Sequence, residues 1–93
     1  MNNFLFNQKT PKEIAQNLVE KIQHHRKKLK ISQIQLSQKS GVSLGSIKRF
    51  ESKAEISLAS LIKIAIALDL DKDFDSLFTQ TTYNSIDEII NGD

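Results

Sequence analysis

Apolar residues recur along this chain at helical rather than strand spacing. Ile14, Leu18, Ile22 and Leu29, with Val19 beside them, follow the period of one helix face. Thr10-Pro11-Lys12-Glu13 supplies the start of that helix: Thr as N-cap, Pro at the first position and Glu closing a capping box. Arg26-Lys27-Lys28 makes its last turn basic, which suits the negative end of a helix dipole near Leu29. Two short helices are expected next, at about 33–40 and 44–51, then a loop from Ser52 to Ile56. Ser57 caps a fourth helix carrying Leu58, Leu61, Ile62, Ile64, Ala65 and Leu68; being apolar on most sides, it is expected to be the central, most buried helix. Asp69 to Asp73 breaks the pattern, and Asp73 is expected to cap a short helix, Phe74 to Phe78. Polar Thr79-Gln80-Thr81-Thr82 follows, then a second capping-box pattern at Ser85-Ile86-Asp87-Glu88 with Ile86, Ile89 and Ile90 on one side. The expectation is an all-α domain of four to five helices at 10–78, with an arm at 1–9 and a tail at 79–93.

The segment Ser32 to Glu51 carries most of the information. Ser32 and Gln35 form a capping box, and Leu36 points an apolar anchor inward. Gly41 stands where the first short helix must stop and the backbone needs a left-handed residue. Val42 plugs the corner, Ser43 caps the next helix, and Ile47 and Phe50 lie three apart on one face. Leu44, Gly45, Ser46, Lys48 and Arg49 are left on or near the open side, shaped for a DNA major groove. Arg49 has the best chemistry for guanine O6 and N7; Lys48 reads guanine likewise or holds a phosphate. Leu44 offers contact to a thymine methyl. Gly45 either permits close backbone approach to DNA or simply weakens the helix. Ser43, with Lys39, Ser52 and Lys53, is assigned to phosphates, and Lys27, Lys28 and Lys30 support the same surface. Gln33, at the first turn of the first short helix, occupies a natural phosphate seat, because helix N-termini carry free N–H groups.

These spaced residues, Ser32-Gln33, Leu36-Ser37, Gly41-Val42-Ser43, Ile47 and Phe50-Glu51, resemble the Cro/C1-type (Xre) helix-turn-helix regulators over about residues 12 to 78. The resemblance implies a compact lambda-repressor-like fold and a DNA-binding transcriptional regulator, acting as a homodimeric repressor of double-stranded DNA. It further implies that Gln33 grips the DNA backbone, that Arg26 and Glu51 form a salt bridge beside it, and that Phe50 fills an aliphatic core position. Gly45 and Leu44 depart from the family's polar readers, so less sequence reading by this helix is expected. A looser likeness, carried by Lys48-Arg49-Phe50-Glu51, Glu55 to Leu61, Phe74 to Phe78 and the Ser-Ile-Asp-Glu-Ile tail, is to HipB-type antitoxins. That alternative implies a HipA-type kinase toxin as partner, autoregulation of the operon, and Ile86, Ile89 and Ile90 as partner-binding residues. A DNA-free interaction module is the third class.

Composition adjusts this picture in two ways. The net charge of +2 hides an asymmetry: residues 1–53 carry eleven Lys/Arg against three acids (+8), and residues 54–93 carry two Lys against eight acids (−6). On charge alone this suits a DNA face opposed to a protein-contact face as well as two ordinary solvated surfaces; the motif tips the balance. Ninety-three residues without cysteine point to one domain with no disulfide framework and no thiolate metal site. No apolar run approaches the roughly 18 residues of a membrane span, and Met1 to Phe6 is too short for a secretory signal, so a cytoplasmic protein without membrane contact is expected. His24-His25, adjacent on a helix, make a poor metal clamp, and Asp69, Asp71, Asp73 and Asp75 lack a calcium loop's closing Glu and central Gly. No activated nucleophile is visible; neither cofactor nor enzymatic activity is expected.

Overall fold

The computed structural model describes residues 9–79, which form five helices and no strand. The helices are α1 (Pro11–Lys28), α2 (Gln33–Ser40), α3 (Leu44–Lys53), α4 (Leu58–Ala67) and α5 (Lys72–Asp75). The first four begin at a hydroxyl N-cap. Thr10, Ser32, Ser43 and Ser57 each accept a hydrogen bond from the amide three residues on, which satisfies a donor that the helix itself cannot. Thr10–Glu13 and Ser32–Gln35 are complete, reciprocal capping boxes.

The helix ends are set by left-handed residues. Gly41 at φ 79 stops α2, its N–H donating to the Ser37 carbonyl at 2.9 Å. The hydroxyl of Ser37 in turn donates to the Val42 carbonyl at 2.6 Å, locking a three-residue turn between α2 and α3. After α1, Lys30 at φ 60 closes a Schellman motif: Lys30 N–H meets the Lys27 carbonyl and Ile31 N–H the Arg26 carbonyl. Asp69 at φ 59 repeats this after α4, with Leu70 bonded back to Ala65. In both places the following apolar residue, Ile31 or Leu70, packs on the core.

That core is Val19 and Ile22 of α1, Leu36 of α2, Val42 of the turn, Ile47 and Phe50 of α3, and Ile64, Ala67 and Leu68 of the α4 region. Helix α2 packs on α3 and α4, and α1 packs on α3, so α3 is pinned from behind while its outer side stays open.

The structure corrects several sequence expectations. Helix α4 is not buried all round: Leu58, Ile62 and Ile66, spaced four apart, form an outward stripe, with Leu58 67% and Ile66 57% exposed. One 10-residue helix has more apolar faces than its neighbours cover. In α1, Val19 and Ile22 are buried but Ile14 and Leu18 are exposed, as is Leu29 just past its end, because the apolar stripe is wider than the face that meets the core. Helix α3 runs to Lys53, two residues past the expected end, before Ala54 terminates it at φ 58. Asp73 lies inside α5 rather than capping it; Asp71 precedes the helix without a side-chain cap, and the turn is closed by the Asp73 N–H to Leu70 carbonyl bond. Apart from Lys9 and Thr79, the arm at 1–9 and the tail at 79–93, Ile86, Ile89 and Ile90 included, lie outside the described residues.

Candidate nucleic-acid interface

The back of the candidate interface is an ionic knot. Arg26 is the one buried charged residue among the described residues. Its guanidinium grips Glu51 with two parallel bonds, Nε to Oε2 at 2.8 Å and Nη2 to Oε1 at 3.1 Å. Its remaining nitrogen, Nη1, donates to the Ile31 carbonyl at 2.7 Å. Glu51 Oε1 also accepts from Gln33 Nε2 at 2.8 Å and Gln23 Nε2 at 3.2 Å. Side chains of α1 and α2 thus converge on the one carboxylate of α3, while the α1–α2 loop holds Arg26 through its carbonyl; among the described residues no buried side-chain polar atom is left without a partner. Burial pushes the Glu51 carboxyl up, but the bonds from Arg26 and Gln33, the Arg26 charge and the bond from Gln23 outweigh it, leaving the group below its ordinary range.

Gln33 is thus bonded within the protein. Its amide nitrogen spends one hydrogen on Glu51 and has a second left over. The backbone N–H groups of Gln33 and Ile34, first and second in α2, have no intrahelical acceptor. They face outward from a positive helix end, which suits an anion. Lys39 is exposed at the opposite end of α2.

On α3, burial of Ile47 and Phe50 turns Gly45, Lys48, Arg49, Ser52 and Lys53 to solvent, with Leu44 and Ser46 half-buried. Ser43 and Ser46 are engaged with one another: the Ser43 hydroxyl accepts from Ser46 N–H at 3.1 Å and donates to Ser46 Oγ at 2.8 Å. The Ser46 hydroxyl hydrogen is the free donor of that pair. The hydroxyl of Ser52 leans back on the Arg49 carbonyl at 3.5 Å. Arg49 makes an exposed ion pair through Nε with Glu55 Oε1 at 2.7 Å. A Cβ added at Gly45 meets nothing within 4 Å, so nothing inside the protein requires glycine there. Gly45→Ala is expected to raise stability by about 0.5–1 kcal/mol, read as a higher thermal midpoint. It should also weaken DNA binding if the bare backbone seats against the groove. A variant that gains stability and binds DNA as before leaves Gly45 as a helix-weakening residue only.

The family resemblance paired Arg26 with Glu51 and assigned Gln33 to the DNA backbone; the bond from Gln33 to Glu51 and the parts of Gln23 and Glu55 were missed. Gln23 had a signal, standing three residues before Arg26 on the same helix face. Glu55 had none, since its position depends on the reversal at Ala54.

A short helix buried on one face, basic on the other, and joined by a tight turn to a helix whose N-terminus is open to anions defines a helix-turn-helix DNA-binding protein. The chain matches the helix-turn-helix family over residues 22–74, more than half its length, and belongs to that family in its Cro/C1-type (Xre) form, DNA-binding regulators of transcription. No curated protein and no solved structure matches it. Among the described residues, no helix is long and apolar enough to cross a membrane.

Proposed function

We propose that this regulator is a homodimeric repressor that lays α3 in the major groove. Leu44, Gly45, Ser46, Lys48 and Arg49 then meet base edges, while Gln33, Lys39, Ser43, Ser52 and Lys53 hold phosphates. The observation that carries this reading is the pose of α3: Ile47 and Phe50 fix it in the core, the Arg26–Glu51 knot fixes its end, and Lys48 and Arg49 are left exposed. Arg49→Ala is expected to cost about 1–3 kcal/mol on the preferred duplex and little on random DNA, as a base contact should. Gln33→Ala should weaken both alike. Binding titrations on the two duplexes separate the roles; an unchanged specificity ratio in Arg49→Ala removes it as a base reader.

Dimerisation is supported by unburied apolar surface. Ile14 and Leu18 of α1 and Leu58, Ile62 and Ile66 of α4 are more exposed than a lone small domain favours. Two-fold pairing would also double the phosphate contacts of a small domain. Sedimentation at micromolar concentration is expected to give twice the chain mass; a monomer bound singly to a half-site would end the dimer reading.

The alternative, a HipB-like antitoxin binding a HipA-type kinase toxin, is supported by sequence likeness alone. Deleting residues 84–93 should weaken such a complex in a pull-down and leave DNA affinity within a few-fold. A truncation that binds the kinase normally and loses DNA gives the tail the opposite role.

A further inference from the structure

The Arg49–Glu55 pair is unlike the other ion pair of the domain. Arg26 and Glu51 side chains are only 8% and 4% exposed, whereas Arg49 and Glu55 side chains are 64% and 55% exposed. An exposed pair contributes little to folding, so stability does not account for an acid beside the cation best suited to read a base. Glu55 stands on the loop after α3, brought there by the left-handed Ala54. With Ser46, Arg49, Ile56, Ser57 and Ser60 it lines an open cleft of about 400 Å³ between α3 and the start of α4.

The contact uses one nitrogen of the guanidinium. Glu55 Oε1 takes the Nε hydrogen, and neither Nη1 nor Nη2 has a partner among the described residues. Those two terminal nitrogens are the fork that meets O6 and N7 of guanine. A carboxylate on Nε restricts the long side chain while leaving its reading end free. It also partly neutralises a charge that would otherwise serve any phosphate within reach.

We propose that Glu55 is a specificity-determining residue: by holding Arg49 at Nε it aims the terminal fork at a base edge and suppresses promiscuous binding to the DNA backbone. Glu55 acts through Arg49 and is thus a positioning residue. This rests on Arg49 being a base reader, and the test separates the two claims. The probes are a duplex selected by the full chain from a random pool and an unselected duplex of equal length.

Glu55→Ala should bind the unselected duplex more tightly, with a log–log salt slope steeper by about one contact. Its specificity ratio should fall about two- to five-fold, the size of an exposed pair's coupling. Glu55→Gln keeps an acceptor for Nε and should retain more of the ratio than Glu55→Ala. The thermal midpoint should hardly move in either, which excludes a merely structural role. If Arg49→Ala collapses the ratio and Glu55→Ala leaves it intact, the inference about Glu55 is overturned while the reading of Arg49 stands. If Arg49→Ala also leaves it intact, both fall.

Discussion

Glu51→Ala is expected to destabilise the domain by about 3–5 kcal/mol, because it strands the Arg26 guanidinium where water cannot reach it. Domains of this kind have total stabilities of roughly 5–15 kcal/mol. The substitution should therefore lower the thermal midpoint by more than about 10 °C. Replacing both partners with apolar residues of similar size, Arg26→Met with Glu51→Leu, should recover part of the loss, since no charge is then left unpaired, although the Ile31 carbonyl and the Gln23 and Gln33 amides lose their partners. A cost below about 1 kcal/mol for Glu51→Ala would show that the pair is wetter than its side-chain exposures of 8% and 4% indicate.

The same carboxylate predicts the acid limb of the stability curve. Its folded pKa lies below the ordinary value for the reasons given. The stabilisation is therefore complete above the unfolded value, about 4.3, and is lost as pH falls through the folded one. In Glu51→Gln, which does not titrate, this part of the acid dependence should disappear from urea melts recorded across that range.

DNA affinity should fall about 10³- to 10⁵-fold between 50 and 200 mM salt if a dimer contacts six to ten phosphates. The motivation is the exposure of Lys39, Lys48, Arg49 and Lys53 on α2 and α3, together with the N-terminus of α2. Few polar readers on α3 also imply that DNA shape carries part of the specificity, and that part should survive high salt better than overall affinity does. A flat log–log slope is incompatible with phosphate contacts by these groups.

The fold was legible where local chemistry decides it. Thr10, Ser32, Ser43 and Ser57 announce helix starts because a hydroxyl before an apolar-periodic run has one favourable use. Gly41 announces the turn for the same kind of reason. Periodicity names the residues that share a face but not whether a neighbour covers that face. Hence Ile14, Leu18, Leu58 and Ile62 read as core and are exposed. At the interface, burial of Ile47 and Phe50 follows from their spacing, and with it the outward set on α3. The occupations of the polar groups do not follow. Gln33 bonding Glu51, Ser43 bonding Ser46 and Arg49 bonding Glu55 all depend on where backbones cross or reverse.

Glycine and backbone conformation are matched at Gly41 but mismatched at Gly45, Lys30 and Ala54. Gly45 sits inside a helix, where glycine is unfavourable, with empty space where a side chain would go. Lys30 and Ala54 sit at φ 60 and 58, where glycine is favoured. Lys30 and Gly45 are exposed, and the three residues lie in or beside the segments that build the candidate interface. The chain therefore keeps unused stabilising substitutions at the candidate interface, while its core residues Leu36, Ile47 and Ile64 are fully enclosed. Thermostable variants are accordingly to be sought at these helix ends rather than in the interior, and each gain there should be checked against its cost in DNA recognition.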